Sequence, residues 1–337
     1  MHKKYIKQLL FFFISSVSFI LLFNYLIDPY GYQSRDNKFL KNLTMFNKPN
    51  VTNSRLKSEG FYYLIGSSRM ARVDPKVIES ITRKKTHNIK IDGSTLYENS
   101  LLATKVKENQ NYFIYSFDAF SLNKSRERYK EIKNRSQIFN SKLNENIFFT
   151  KYFNGDITIR SIQHLIKFLN GENIDKQYLE ENSRDSLFNS SLALNNSGVQ
   201  NNLDKSNFSN YQSYSDKAII KLALIGKKGD IFIVLPKYIY YYSLFSKYQN
   251  IEKQYFDALR LLVLNTEAQV WSFYGDNKIS RLDNNFIDNG WHFKPKVSNI
   301  IFNEVFANDR SYKSKIGHLL TKENINDYLD DMAKNFN

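Results

Sequence analysis

One stretch of the chain decides its predicted fold: Phe61-Tyr-Tyr-Leu-Ile-Gly-Ser-Ser-Arg69. Its first five residues form a short apolar and aromatic run, and such a run is typical of a strand buried on both faces of a parallel sheet. Gly66 stops the run and is followed directly by two serines. Ligands of open α/β sheets bind beyond the carboxyl ends of the strands. Ser68 is therefore the first candidate for a reactive group.

Strand-like and helix-like segments alternate after this stretch, and that alternation predicts an α/β domain with a doubly wound parallel sheet. Asp74-Pro75 is typical of a helix start, because Asp caps the helix and Pro suits its first position. The predicted strands are Phe61–Ile65, Asn88–Ile91, Tyr112–Phe117, Gly229–Pro236 and Ala268–Phe273, and the predicted helices include Leu96–Lys107, Lys217–Ile225, Ile251–Leu264 and Lys296–Phe306.

The alternation stops between about residues 124 and 215, which we interpret as a polar insertion. Within it, Asn182–Tyr214 is rich in Asn and Ser and is not expected to bury much apolar surface. A lid and an inert surface loop are both open interpretations. The predicted domains are a flank and membrane anchor at 1–30, a stalk at 31–58, the α/β domain at 59–310, and a tail at 311–337 with one helix, Lys322–Met332.

The N-terminal segment has the composition of a membrane anchor. Three lysines precede residues 8–26, which carry no charge. Nineteen helical residues are about 28 Å long, close to the thickness of the hydrocarbon core of a bilayer. No Ala-x-Ala cleavage site follows, so we predict an uncleaved anchor. The basic flank predicts a cytoplasmic N-terminus and an extracytoplasmic main domain. A cleaved signal peptide and a buried core helix are the alternatives.

The chain has a net charge of +15, and only three of its 48 basic residues precede the apolar segment. A basic surface attracts anionic partners, such as phospholipid headgroups or an anionic cell-envelope glycan or polymer. Solubility alone is the other explanation for the charge. Nucleic acid is not expected, because no RNA-binding, zinc-finger or helix-turn-helix signature is present. The absence of cysteine excludes disulfides, thiolate metal sites and a cysteine nucleophile.

A second short segment, Asp288-Asn-Gly-Trp-His292, supplies what a reactive serine needs. A serine nucleophile requires a base, and a histidine base requires a group that orients it. His292 precedes a helix-like stretch and has an acid four residues before it. Asp288 is the favoured orienting group, with a turn at Gly290 between it and His292. Asn289 is the alternative. A structural role for His292 is also open.

Together these segments resemble the SGNH (GDSL-like) hydrolase superfamily. Gly66-Ser67-Ser68 aligns with the Gly-Asp-Ser block of that family, and Asp288…His292 resembles its Asp-x-x-His block with one extra residue. The resemblance implies a three-layer, flavodoxin-like parallel sheet. It also implies that Ser68 is the nucleophile, with backbone N–H groups of Ser68 and Gly93 stabilising the oxyanion. The Gly-x-Asn-Asp block is missing, and Asn123 is the nearest amide available as a third oxyanion donor.

Asn24-Tyr25 and Asp28-Pro29 just after the anchor are similar to a membrane-anchored branch of that superfamily. It includes the D-alanyl-lipoteichoic acid transfer protein and the alginate O-acetylation proteins. The resemblance implies acyl-ester chemistry on cell-envelope polymers, beside a membrane-bound O-acyltransferase partner. No cofactor and no metal site are expected. Arg69 is predicted either to contact an anionic substrate group or to be solvated. A catalytically inactive scaffold of the same fold and a plain anchored structural protein are the alternatives to an enzyme.

Overall fold

A computed structural model describes residues 2–27, 60–91, 93–126, 152–170, 196–248, 251–287, 290–306 and 316–336. The chain divides into two compact units. One comprises Met1–Arg55 with Gln137–Glu181, and the other Leu56–Ser136 with Asn182–Asn337. The predicted stalk at 31–58 lies outside the described residues.

The second unit contains a six-stranded sheet in the order β2-β1-β3-β4-β5-β8, and a two-stranded ribbon formed by β6 and β7. The first five strands of the sheet are parallel, and β8 pairs antiparallel with β5. The predicted α/β class with a mostly parallel sheet is confirmed. The strands are β1 Tyr62–Ile65, β2 Thr86–Asn88, β3 Tyr112–Ser116, β4 Ile231–Val234, β5 Gln269–Ser272, β6 Phe286–Ile287, β7 His292–Phe293 and β8 His318–Leu320.

Helices account for most of the remaining described residues. Helices α3, α7 and α9 pack in a row, and α2 packs against α10. The helices are α1 His2–Ile27, α2 Pro75–Thr82, α3 Leu96–Glu108, α4 Ala119–Leu122, α5 Gly155–Leu169, α6 Asn196–Lys205, α7 Asp216–Ile225, α8 Ile239–Lys247, α9 Ile251–Asn265, α10 Pro295–Val305 and α11 Ile325–Phe336.

Local sequence explains where several of these elements begin. Asp74 caps α2 by accepting a hydrogen bond from the backbone N–H of Lys76. Thr95 and Glu98 form a reciprocal capping box at the start of α3. The central strands β1, β3 and β4 are almost entirely buried, as expected for parallel strands covered on both faces.

The second strand begins earlier than its sequence pattern predicts. Pairing with β1 occurs at Thr86–Asn88, two residues before the expected start. The apolar residues that follow still run beside β1, because Ile89 and Ile91 donate backbone hydrogen bonds to Leu64 and Gly66. Apolar composition identified the buried part of this segment, whereas regular pairing starts at the more polar Thr86. The antiparallel strand β8, before the predicted C-terminal helix, was not anticipated.

The expectation that Asn182–Tyr214 buries little apolar surface is wrong for its described part. Residues 196–214 contain α6 and a short 3₁₀ helix, Phe208–Asn210. Val199, Leu203, Phe208 and Tyr211 are all buried. Few apolar residues suffice here because they form two pairs at helical spacing. Val199 and Leu203 lie four residues apart on α6, and Phe208 and Tyr211 lie three residues apart at the 3₁₀ helix, so each pair lies on one side of the backbone. Residues 182–195 lie outside the described part of the chain.

In the first unit, α1 is long and apolar enough to cross a membrane, with a mean hydropathy of 2.2. Helix α5 packs against it. Asn24 is fully buried and donates hydrogen bonds to the backbone carbonyl of Tyr152 (2.6 Å) and the hydroxyl of Thr158 (2.8 Å). The Tyr25 and Tyr152 rings meet edge to face at 5.5 Å. These contacts engage the side-chain amide N–H groups of Asn24 near the end of the apolar helix, whereas its Oδ1 has no hydrogen-bond partner among the described residues.

Candidate active site

Ser68 follows the carboxyl end of β1 in a tight turn. Gly66 makes the turn possible, since a Cβ atom there would lie 2.8 Å from the Cβ of Ser116 on β3. The backbone N–H of Met70 then donates to the Ser67 carbonyl, and a 3₁₀ helix, Met70–Arg72, begins. Ser67 is buried, whereas Ser68 is partly exposed. The turn therefore presents the second serine rather than the first.

The ribbon formed by β6 and β7 positions His292. Ile287 of β6 pairs with His292 of β7, and Phe293, also in β7, is fully buried. Gly290 lies in the connecting turn with φ of 81°, and a Cβ atom there would come within 2.5 Å of Tyr238. Only glycine fits this backbone and this close approach. Buried neighbours on either side of His292 fix its place, while its own ring stays partly exposed.

The structure brings the two segments together. The Ser68 hydroxyl oxygen lies 2.8 Å from Nε2 of His292. This is a hydrogen bond of normal length between residues that are 224 positions apart in the chain. It is the arrangement in which an imidazole can accept the proton of a serine hydroxyl as that hydroxyl attacks a carbonyl. Asp288 and Asn289, the two candidates for orienting His292, lie outside the described residues.

Gly93 belongs to a segment that runs beside the Ser68 turn. The backbone N–H of Ile91 donates to the Gly66 carbonyl at 2.9 Å, and Gly93 follows two residues later with φ of 66°. Its carbonyl accepts a hydrogen bond from Arg126. Among the described residues, the backbone N–H groups of Ser68 and Gly93 have no hydrogen-bond acceptor. The use of both N–H groups as oxyanion donors stays a prediction.

Asn123 has a structural contact of its own. Its side-chain amide donates to the carbonyls of Ser206 and Asn207, and its side-chain oxygen accepts from the backbone N–H of Ser125. The residue is buried. These bonds link the end of α4 to the segment after α6. The described contacts leave the Asn123 amide engaged elsewhere, and its use as a third oxyanion donor stays a prediction.

Arg69 is buried, so the solvated interpretation of this residue is wrong. Its guanidinium donates to the backbone carbonyls of Leu235 and Pro236. Burial lowers the pKa of Arg69, and the nearby carboxylate of Asp118 acts in the opposite direction. The arginine links the turn after β1 to the chain that leaves β4. A direct contact with an anionic substrate group stays a prediction.

Lys237 was not anticipated from the sequence. It follows β4, is buried, and its ammonium group has no hydrogen-bond partner among the described residues. The rings of Phe245 and Trp291 lie 4.5 and 5.3 Å from Nζ. Burial and the charge of Arg69 lower the pKa of Lys237 to about 7, while Asp118 opposes this shift. Nothing local distinguishes this lysine from the many exposed ones.

Trp291, next to His292, is held by aromatic neighbours. Its ring meets Phe120 and Tyr241 edge to face, each at 5.3 Å between ring centres. Phe208, from the Asn/Ser-rich tract, makes a third such contact at 6.3 Å. Three separate segments therefore converge on the residue that precedes the candidate base. Tyr241 and Tyr242 are fully buried and belong to the core.

The other described histidines lie in different surroundings. The His87 ring stacks on Phe61, the His318 ring lies against Tyr328, and His164 is buried on α5. Within the described ranges, no group of three or more His, Asp or Glu side chains is arranged to hold a metal ion.

No family model, curated protein or solved structure matches the chain.

Proposed function

We propose that the protein is an exported, membrane-anchored serine acyl-esterase or O-acyltransferase that acts on a cell-envelope glycan or polymer. The observation that carries the proposal is the 2.8 Å contact between the Ser68 hydroxyl and Nε2 of His292. Ser68 follows the carboxyl end of a parallel strand, and ligands of open α/β sheets bind beyond the carboxyl ends of the strands. A nucleophile and a base within hydrogen-bond distance are the minimum for acyl transfer through a covalent intermediate.

The fold supports an SGNH-like assignment. The five parallel strands follow the order 2-1-3-4-5, which is that of flavodoxin-like doubly wound sheets. The Gly-Ser-Ser turn follows the first strand, and His292 lies three residues before the start of a helix, α10. The structural features thus agree with the sequence blocks that resemble this superfamily. We include the polar insertion at about 124–215 in this proposed fold, although apolar side chains in its described part are buried.

The proposed reaction has two steps that balance. In the first, the Ser68 oxygen attacks the ester carbonyl, its proton passes to Nε2 of His292, and the C–O bond to the leaving alcohol breaks as His292 returns that proton to the alcohol. An acyl-Ser68 ester remains. In the second, water or an acceptor hydroxyl loses its proton to His292 and attacks this ester, which frees Ser68. Asp288, or alternatively Asn289, is the proposed orienting group.

Backbone N–H groups of Ser68 and Gly93 are the proposed oxyanion donors. Each such donor contributes about 3 kcal/mol of transition-state stabilisation in serine hydrolases. Two donors support turnover but leave it slower than three. The net charge of +15 favours an anionic polymer as the substrate. The resemblance adds a membrane-bound O-acyltransferase as the partner that supplies or removes the acyl group.

The decisive test combines a fluorophosphonate probe with ester turnover by the full chain. We expect the probe to label wild-type protein on Ser68. Ser68→Ala should abolish labelling and lower kcat by at least about 10³-fold, because the nucleophile itself is lost. Ser67→Ala is the matched control, since Ser67 is adjacent but buried. It should retain labelling. Equal labelling of wild-type protein and Ser68→Ala would contradict the proposed nucleophile.

One observation favours a second candidate function, a catalytically inactive scaffold that binds an anionic polymer or an acyltransferase. The side chain of Asn123, the nearest amide to the missing third block, is bonded to the carbonyls of Ser206 and Asn207. An enzyme with few oxyanion donors loses rate. If folded wild-type protein is not labelled and turns over no ester, the scaffold is the better description.

A further inference from the structure

Helix α5 has three distinct faces along its length. One face is buried at Ile157, Ser161 and His164 and becomes exposed at Phe168, near the end of the helix, which is 46% exposed. The side chains of Arg160 and Gln163 form an exposed polar strip. The third face is apolar and exposed: Ile159, Ile162, Ile166 and Leu169 are 59, 46, 51 and 71% exposed. We call these four residues the apolar stripe.

The apolar stripe is regular rather than scattered. Its members recur at intervals of three, four and three residues, so they lie in one line along the helix. Helical geometry of 100° per residue places this line roughly opposite the buried face. Four large side chains in one exposed line form a contiguous patch of a kind that soluble monomeric proteins rarely show. Such a patch indicates contact with something other than water.

The position of α5 along α1 indicates what covers the stripe. Asn24 and Tyr25, near the end of α1, contact Tyr152, which lies three residues before α5, and Thr158 in the first turn of α5. Partly covered positions of α1 extend back to Val17, whereas its described side chains from Lys3 to Ser16 are exposed. Val17 is the midpoint of the uncharged segment 8–26. The helix therefore packs beside an apolar part of α1.

We propose that α5 is a second membrane-contacting element. It lies in the leaflet that surrounds the C-terminal half of α1, with its apolar stripe against lipid acyl chains. Arg160 and Gln163 face the headgroups, which is the arrangement of an interfacial amphipathic helix. Phe19, Leu22 and Leu26, in the half of α1 beside which α5 packs, are exposed as well. Exposed apolar side chains on both of two packed helices favour lipid over a protein partner. The proposal rests on the membrane anchor in the proposed function, but not on the chemistry of Ser68.

The natural absence of cysteine makes a direct test possible. Single cysteines at Ile162 and Ile166 would carry nitroxide spin labels in the full chain reconstituted into phosphatidylcholine vesicles. Labels at Arg160 and Gln163 are matched controls on the polar strip of the same helix. Phe12→Cys on α1 reports whether the anchor is in the bilayer. Collisions of each label with oxygen, which concentrates among acyl chains, are compared with collisions with a water-soluble nickel complex.

We expect the ratio of oxygen to nickel collisions to be at least about threefold higher at 162 and 166 than at 160 and 163, because only the stripe contacts acyl chains. Position 12 should resemble the stripe. Equal ratios on both faces of α5, with position 12 in lipid, would overturn the proposal while leaving the anchor intact. Protection of the stripe from both reagents would overturn it too, in favour of a protein partner. A collision ratio at position 12 that is typical of water would contradict both the membrane anchor and this proposal.

Discussion

At the scale of single residues, Lys237 shows how strongly burial in the α/β unit shifts the pKa of a charged group. An ammonium group can donate three hydrogen bonds, and none is made to a described residue. The face of the Phe245 ring, 4.5 Å from Nζ, replaces only part of the lost hydration. Burial destabilises the charged ammonium more than the neutral amine. The pKa of Lys237 falls to about 7 for this reason.

Replacing Lys237 with methionine should change how stability depends on pH. The folded pKa of about 7 lies below the ordinary value of 10.5. Between these values the unfolded state binds a proton that the folded state lacks, so a rise in pH favours folding. The free energy of unfolding of the wild type should increase, relative to Lys237→Met, by at most about 1.4 kcal/mol per pH unit in this window. Urea unfolding at several pH values measures the difference.

The control for this prediction is Lys278→Met, which removes an exposed lysine. Its stability should follow that of the wild type across the same pH range. The charged groups that act on Lys237 are Arg69 and Asp118, and both are kept in each variant. If Lys237→Met and the wild type respond equally to pH, the ammonium is not held in the environment described here.

Local sequence patterns led to two residues that the structure brings together. A strand-like run that ends in Gly-Ser-Ser pointed to Ser68, and a histidine before a helix pointed to His292. No local pattern marked Lys237, because its burial depends on Phe245 and Trp291, which are distant in the sequence. Arg69 was predicted to meet substrate or solvent. It meets backbone carbonyls after β4, and only the folded chain brings these close.

At the scale of elements, the tract after α6 supports the candidate base indirectly. Phe208 is fully buried and stacks on Phe245 with ring centres 5.5 Å apart. It also contacts Trp291, which precedes His292. Composition alone suggested an unpacked loop, since Asn and Ser dominate this tract. The burial of its few apolar side chains, among them Phe208, packs the tract despite that composition.

Phe208→Ala tests whether this tract belongs to the core. Loss of a buried phenylalanine ring leaves a cavity and should lower the free energy of unfolding by about 3–5 kcal/mol. The neighbouring exposed Ser209 provides the control, because Ser209→Ala should change stability by no more than about 0.5 kcal/mol. Denaturant unfolding followed by circular dichroism gives both values. A loss below about 1 kcal/mol for Phe208→Ala would mean that the tract packs only loosely.

At the scale of the whole molecule, topology explains why distant residues meet. Parallel strands place their carboxyl ends at one edge of a sheet, so the turn after β1 and the chain after β2 emerge side by side. The alternation of strands and helices in the sequence predicted this shared position. It did not predict the division into two units, because the pairing of α1 with α5 joins segments more than a hundred residues apart. Hydrophobic periodicity shows that a helix has a buried face, but not which helix covers it.

Net charge is a property of the whole chain, and it leads to a prediction about binding. Three lysines of the N-terminal flank account for part of the +15, which leaves +12 for residues 8–337. A surface of this charge should bind dextran sulfate and not neutral dextran. Raising the salt from 0.1 to 1 M shortens the Debye length from about 10 to 3 Å and should weaken the binding by at least about tenfold. Fluorescence anisotropy of labelled polymer with the full chain in detergent measures both effects. Salt-independent binding, or equal binding of the two dextrans, would show that the charge serves solubility alone.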